Sequence, residues 1–240
     1  MCGRFTLATS LDVLLEIFKI QDVEESLPPR CNIAPTQQIY ALRDRSPRCL
    51  ETLRWGLIPP WAPGPELGNR MINARCETVA QKPSYRRAFR RQRCLILADG
   101  FYEWKKEGRA RLPFLFRRKD RRPFAFAGIW ESWFPSPQGP PEKSPREGGE
   151  GEGPRLLLSA SLLTTKANAL VEPIHERMPV ILQDEESQQL WLKGPASVEL
   201  LHALCRPLPL EGWQSFRVDK KVNKPGYEGP ACMEALKEEA

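Results

Sequence analysis

Residues 123–133 read PFAFAGIWESW and residues 155–163 read RLLLSASLL. Both runs are short, apolar and rich in residues that suit a buried strand. Between them, residues 136–154 read SPQGPPEKSPREGGEGEGP, with ten Gly or Pro among nineteen and no large apolar side chain. Such a segment buries too little surface to order itself, so a disordered loop over 136–154 is expected. The flanking runs have the pattern of neighbouring strands in one sheet. That favours one domain over residues 1–225 with an insertion, followed by a polar tail over 226–240.

Working outward, further strand-like runs fall at 38–43, 50–57, 94–98, 101–104, 112–117, 179–183 and near 213–218. Their spacing predicts one sheet system, closed or nearly closed. A helix is expected where Ser10 can cap, Asp12 suits the first turn, and Leu11, Leu14, Leu15 and Phe18 share a face. Two more helices are expected late, over 184–193 after Asp184 and over 196–205 after Ala196–Ser197. Strands outnumber helices and do not alternate with them, which argues for an α+β fold.

Composition excludes several classes. Hydrophobic residues make up 41% and charged residues 28%, an ordinary soluble balance. No run of 18 apolar residues is present, so no helical membrane span is expected. The start MCGRF has no signal-peptide core, and a cytoplasmic location is expected. The seven cysteines are odd in number and form no C-x-x-C pair, which disfavours a disulfide framework or a zinc ribbon. With two histidines in the chain, neither a metal nor a cofactor is expected. Cys31, Cys76, Cys94 and Cys205 read as small buried hydrophobes.

The net charge is +6, which favours an anionic partner. Residues 82–93, KPSYRRAFRRQR, hold six Lys or Arg and no acid. As a helix they would align Arg86 with Arg90 and Arg87 with Arg91, anchored by Tyr85 and Phe89. Such a row is either a solvated face or a phosphate-binding surface. Tryptophans beside it, including Trp61 of RWGLIPPW, offer planes on which unpaired bases stack.

Cys2 carries the chemical signal. Its small side chain predicts removal of Met1, leaving an α-amine and a thiol on adjacent carbons. An α-amine titrates near ~7.7–8.0, so much of it is a neutral nucleophile at pH 7–8. With an aldehyde, this 1,2-aminothiol forms an imine that the thiol closes to a thiazolidine.

Six blocks occur in order: MCGRF, CNIAPT at 31–36, RWGLIPPW at 54–61, INARCET at 72–78, ADGFYEW at 98–104 and IHERMPVIL at 174–182. On these the chain resembles the SRAP family, the SOS-response-associated peptidases, and in particular its bacterial-type members. The resemblance runs from Cys2 to about Asn223. It implies a single domain with a β-barrel-like mixed-sheet core flanked by helices. It also implies recognition of abasic sites in single-stranded DNA, with a covalent thiazolidine crosslink through Cys2 that shields the lesion. The implied active-site set is Cys2, Asn73, Glu103 and His175. Cys2 is the nucleophile, Asn73 orients it, Glu103 shuttles protons and His175 is an acid or base toward the sugar. The implied DNA-binding set is Arg4, Asn32, Trp61, Arg75, Thr164 and Arg177, with Arg86 and Arg90 of the basic segment. A monomer without membrane contact, nucleoid-associated when on DNA, is expected. Lyase and Met1-removing peptidase activities are expected beside crosslinking. Two alternatives stay open: a thiol peptidase using Cys2 and His175, which the family name suggests, and a non-covalent single-strand-binding module.

Overall fold

The computed structural model describes residues 2–135, 156–193 and 197–236. In chain order the elements are β1 (Phe5–Leu7), α1 (Leu11–Phe18), β2 (Asp22–Val23), β3 (Arg30–Ile33), β4 (Gln38–Arg43), β5 (Cys49–Trp55), β6 (Asn73–Arg75), α2 (Cys76–Val79), α3 (Arg86–Arg91) and β7 (Arg93–Ala98). There follow β8 (Gly100–Glu107), β9 (Ala110–Arg118), β10 (Phe124–Trp133), β11 (Leu157–Lys166), β12 (Arg177–Pro179), β13 (Ile181–Leu182), α4 (Glu185–Lys193), α5 (Val198–Leu204) and β14 (Trp213–Arg217).

The two runs that open the sequence argument are β10 and β11. They pair antiparallel from Gly128 opposite Leu162 to Trp133 opposite Leu157. One sheet therefore continues on both sides of the Gly/Pro-rich stretch, which itself lies outside the described residues. From β10 the ladder passes to β7, β4 and β5. β5 then returns parallel to β11, with Arg54 opposite Ser159 and Trp55 opposite Ala160. Five strands thus close on themselves, so their mutual edges are all paired.

The expectation of one sheet system is corrected to two. A second sheet, ordered β14, β9, β8, β1 and β3, packs against the ring. Phe5 meets Trp55 edge-on at 5.0 Å and Phe126 at 5.6 Å, and Phe124 meets Trp213 at 4.9 Å. Each such fully buried ring contributes about 1.5–3 kcal/mol of hydrophobic stabilisation. The single run read at 179–183 is also two strands. At Val180 the chain changes partner: its N–H donates to Leu163 O of β11 and its C=O accepts from Ala127 N of β10.

The helices follow the apolar pattern but differ at their ends. Leu14 and Phe18 of α1 are buried, yet the Ser10 hydroxyl makes no capping bond. Asp184 caps α4 through Ser187 N at 2.7 Å, and Ser197 caps α5. The helix read over 82–93 is confined to Arg86–Arg91, because Pro83 precedes it and Arg93 belongs to β7. The Arg93 guanidinium donates to Arg90 O at 2.6 Å and so closes the helix C-terminus.

Two further corrections concern cysteines and the chain end. Cys76, Cys94 and Cys205 are buried, but Cys31 is half-buried and its Sγ donates to Glu228 Oε2 at 3.2 Å. The segment read as a polar tail from 226 is folded onto the second sheet as far as Leu236. Cys232 is wholly buried there, and Tyr102 Oη donates toward Cys31 O and Cys232 O at 2.7 and 2.9 Å.

Candidate active site

β1 brings the chain start into the protein. Phe5 lies opposite Phe101 and Thr6 opposite Gly100, and Tyr102 N donates to Arg4 O at 3.0 Å. Cys2 thereby arrives within electrostatic reach of the Glu103 carboxyl on β8. The approach requires Gly100, because a Cβ there would stand 2.8 Å from Thr6 Oγ1 and 2.9 Å from Leu115 Cδ1. Cys2 is wholly buried, and its Sγ donates to Arg4 O at 3.6 Å.

Asn73 reaches the same point from the other sheet. β6 runs parallel to β11, with Asn73 opposite Leu162. Its Nδ2 donates to Cys2 O at 2.7 Å, while its buried Oδ1 has no partner among the described groups. Tyr85, the residue before α3, holds the Asn73 carbonyl through its hydroxyl at 3.3 Å. His175 sits in the turn between β11 and β12, where its N–H donates to Val171 O at 2.9 Å. Its Nδ1 lies 2.9 Å from Arg177 N and 3.2 Å from Arg177 O, so the Arg177 backbone holds the ring.

The electrostatics link these groups. Burial raises the Cys2 thiol well above the ordinary range, and the Glu103 carboxylate adds to it. The sulfur is therefore a thiol at neutral pH and needs a base to become nucleophilic. Burial pushes Glu103 up to about 7, against the pull of the amino-terminal positive charge. Glu103 can thus give or take a proton near neutrality. Burial lowers His175, and the same amino-terminal charge lowers it further. Among the described residues no cluster of three His, Cys, Asp or Glu side chains is placed to hold a metal.

The residues read as DNA contacts divide by exposure. Arg75, Arg86 and Arg90 are exposed, as is Trp61 at 61%. Trp61 projects from a loop that begins at Gly56, whose φ of +127° and 2.5 Å Cβ approach to Gly68 O admit only glycine. Asn32 and Thr164, expected at sugar or phosphate, are wholly buried and bond within the protein. Asn32 Nδ2 donates to the carbonyls of Val222, Lys224 and Tyr227, and its Oδ1 accepts from Arg4 Nη1 at 2.6 Å. Arg4 also donates to Val222 O at 2.8 Å and lies over the Trp104 ring. Arg177 is paired with Glu77 and bonded to Thr164. Arg4 and Arg177 are 9% and 7% exposed, which leaves each only an edge at the surface.

Two residues absent from the sequence reading matter here, Glu77 and Tyr102, and Tyr85, read only as a helix anchor, also props Asn73. Glu77 lies within the INARCET block, but its partner is 100 positions away. No local pattern names such a partner.

A closed five-strand barrel backed by a second sheet, with a buried cysteine at its chain start facing a carboxyl and an amide, defines an α+β thiol-site protein. The chain belongs to the family described as SOS response associated peptidase (SRAP), which it matches over residues 1–225. It is 39% identical over 240 residues to the abasic site processing protein YoqW of Bacillus subtilis, covering 98% of this chain and 100% of that one. It is 29% identical over 224 residues to the abasic site processing protein YedK of Escherichia coli, covering 89% and 90%. The fold is shared with a crystal structure from Bacteroides thetaiotaomicron at a TM-score of 0.83 and 22% identity, covering 98% and 100%.

Proposed function

We propose that this protein processes abasic sites in single-stranded DNA by forming a thiazolidine crosslink through Cys2 once Met1 is removed. The observation that carries the reading is the buried Cys2 held by Asn73 Nδ2 at 2.7 Å beside a Glu103 carboxyl that titrates at about 7. Relatives named abasic site processing proteins support it.

The chemistry balances with one water released. The Cys2 α-amine adds to the aldehyde carbon of the ring-opened sugar. The carbinolamine loses its hydroxyl as water when an acid protonates it, giving an imine. Cys2 Sγ then attacks the imine carbon, its proton passing to a base and the imine nitrogen taking one up. Glu103 supplies both roles because it is half-protonated near neutrality. Asn73 Oδ1, buried and without a partner among the described residues, accepts from the new amine or ring N–H. His175, held through Nδ1 by the Arg177 backbone, acts toward the sugar oxygen as the ring opens. Arg75, Arg86 and Arg90 meet phosphates, and Trp61 stacks where the base is missing. Arg4, Asn32, Thr164 and Arg177 hold these groups in place.

The test uses mature protein and single-stranded DNA with one abasic site, read by intact mass. An adduct is expected at the combined mass less one water, absent in Cys2→Ala and in protein bearing an N-terminal tag. Tight binding without an adduct would leave a single-strand-binding module, and cleavage of an added peptide blocked by Cys2→Ala would favour the peptidase reading.

A further inference from the structure

We infer that Glu77 is a positioning residue for His175, acting through Arg177; the inference rests on the role given to His175 above. Glu77 lies in the first turn of α2, directly after the strand that carries Asn73 and Arg75. Its carboxylate receives Arg177 Nη1 at 2.6 Å and Nη2 at 2.9 Å, a two-pronged pair. Nη2 also donates to Thr164 O at 2.6 Å and approaches Thr164 Oγ1 at 3.2 Å. Thr164 is the β11 residue opposite Arg75 on one side and Pro179 on the other. One guanidinium therefore ties α2, β11 and β12 together at the edge of the site.

The consequence is local to the imidazole. Arg177 is the residue whose backbone N–H occupies His175 Nδ1 at 2.9 Å. That bond uses the Nδ1 lone pair and favours a ring proton on Nε2, while Arg177 O, 3.2 Å from Nδ1, would accept from the other tautomer. Anchoring the Arg177 side chain from two directions fixes its backbone, and so fixes the imidazole. The charged groups that act on the ring are Lys106 of β8, Glu176 beside it and the amino-terminal charge. With Glu77 neutralising Arg177, the guanidinium adds no further net cation to that set. Without Glu77, a side chain that is 9% exposed would lose its counter-ion, and moving it outward would pull the Arg177 N–H from Nδ1.

The experiment compares mature wild type, Glu77→Asp and Glu77→Gln, in two readouts. Long-range proton–nitrogen spectra of the free protein report the tautomer of His175, with His202 on α5 as an internal reference for the fold. Single-turnover crosslinking to abasic single-stranded DNA separates the maximal rate from the half-saturating DNA concentration. We expect Glu77→Gln to mix the His175 tautomers and slow the maximal rate at least about tenfold, part of what a general acid supplies. The half-saturating concentration should change by less than about twofold, and Glu77→Asp, which keeps the charge on a shorter stem, should fall between. Wild-type spectra and rates in Glu77→Gln would overturn the inference, as would a loss confined to the half-saturating concentration. Should Glu77→Gln fail to fold, wild-type behaviour of Glu77→Asp in both readouts would overturn it instead. A wild type that forms no crosslink would defeat the functional reading, while the tautomer comparison still decides the role of Glu77.

Discussion

At the scale of single residues, the site is an exchange between burial and charge. Glu103 is 2% exposed and keeps its proton to about 7, against 4.5 for a free carboxyl. The folded chain thus binds a proton that the unfolded chain has released, and stability falls as pH rises from 4.5 through about 7. At about 1.4 kcal/mol per pH unit, that window amounts to roughly 3 kcal/mol. Glu103→Gln should remove this slope, so that denaturant titrations at pH 5 and pH 8 differ less than in wild type. The same variant should slow thiazolidine formation, because the raised Cys2 thiol loses its base. An unchanged pH dependence of stability would show that Glu103 is not held protonated.

At the scale of elements, α3 and the Trp61 loop are the parts that face outward. Phe89 is wholly buried and Tyr85 half-buried, so the helix presents Arg86 and Arg90 on a fixed base. Arg87 is less free, because it pairs with Glu131 at 2.9 Å. Replacing Arg86 and Arg90 by Ala should weaken single-strand binding at every sequence. It should also reduce the slope of log affinity against log salt by about 1.4, for two phosphates lost. Trp61→Ala should leave the melting temperature within about 1 °C and cost about 1–3 kcal/mol of binding as measured by fluorescence anisotropy. A salt slope equal to wild type would make α3 a solvated face only.

At the scale of the whole molecule, the second sheet and the chain end form one unit around the site. Asn32, Arg4 and Tyr102 all bond to backbone between Val222 and Cys232. Ending the chain at Pro225 removes the Tyr227 and Cys232 carbonyls, the Glu228 carboxylate on Cys31, and the burial of Cys232. Together these four losses cost about 2–4 kcal/mol. Calorimetry should find a melting temperature about 5–10 °C lower, with slower crosslinking because Arg4 and β1 loosen. Equal melting temperatures would mean that residues 226–236 are not structural.

The sequence by itself determined the long strands, the α+β class and the pairing of 123–133 with 155–163, because each rests on local periodicity and composition. It also placed Cys2, Asn73 and Glu103 in one set through the blocks that hold them. Which strands close the ring was not legible, since the parallel contact of Trp55 with Ala160 joins residues 105 positions apart. Nor were β1, β3 and β6, which are three or four residues long and show no period. Exposure was decided by tertiary structure alone: Arg75 and Arg177 have the same side chain, yet one is exposed and the other is held by Glu77. Partner and burial are properties of what lies across space, and a residue's neighbours in the chain do not encode them.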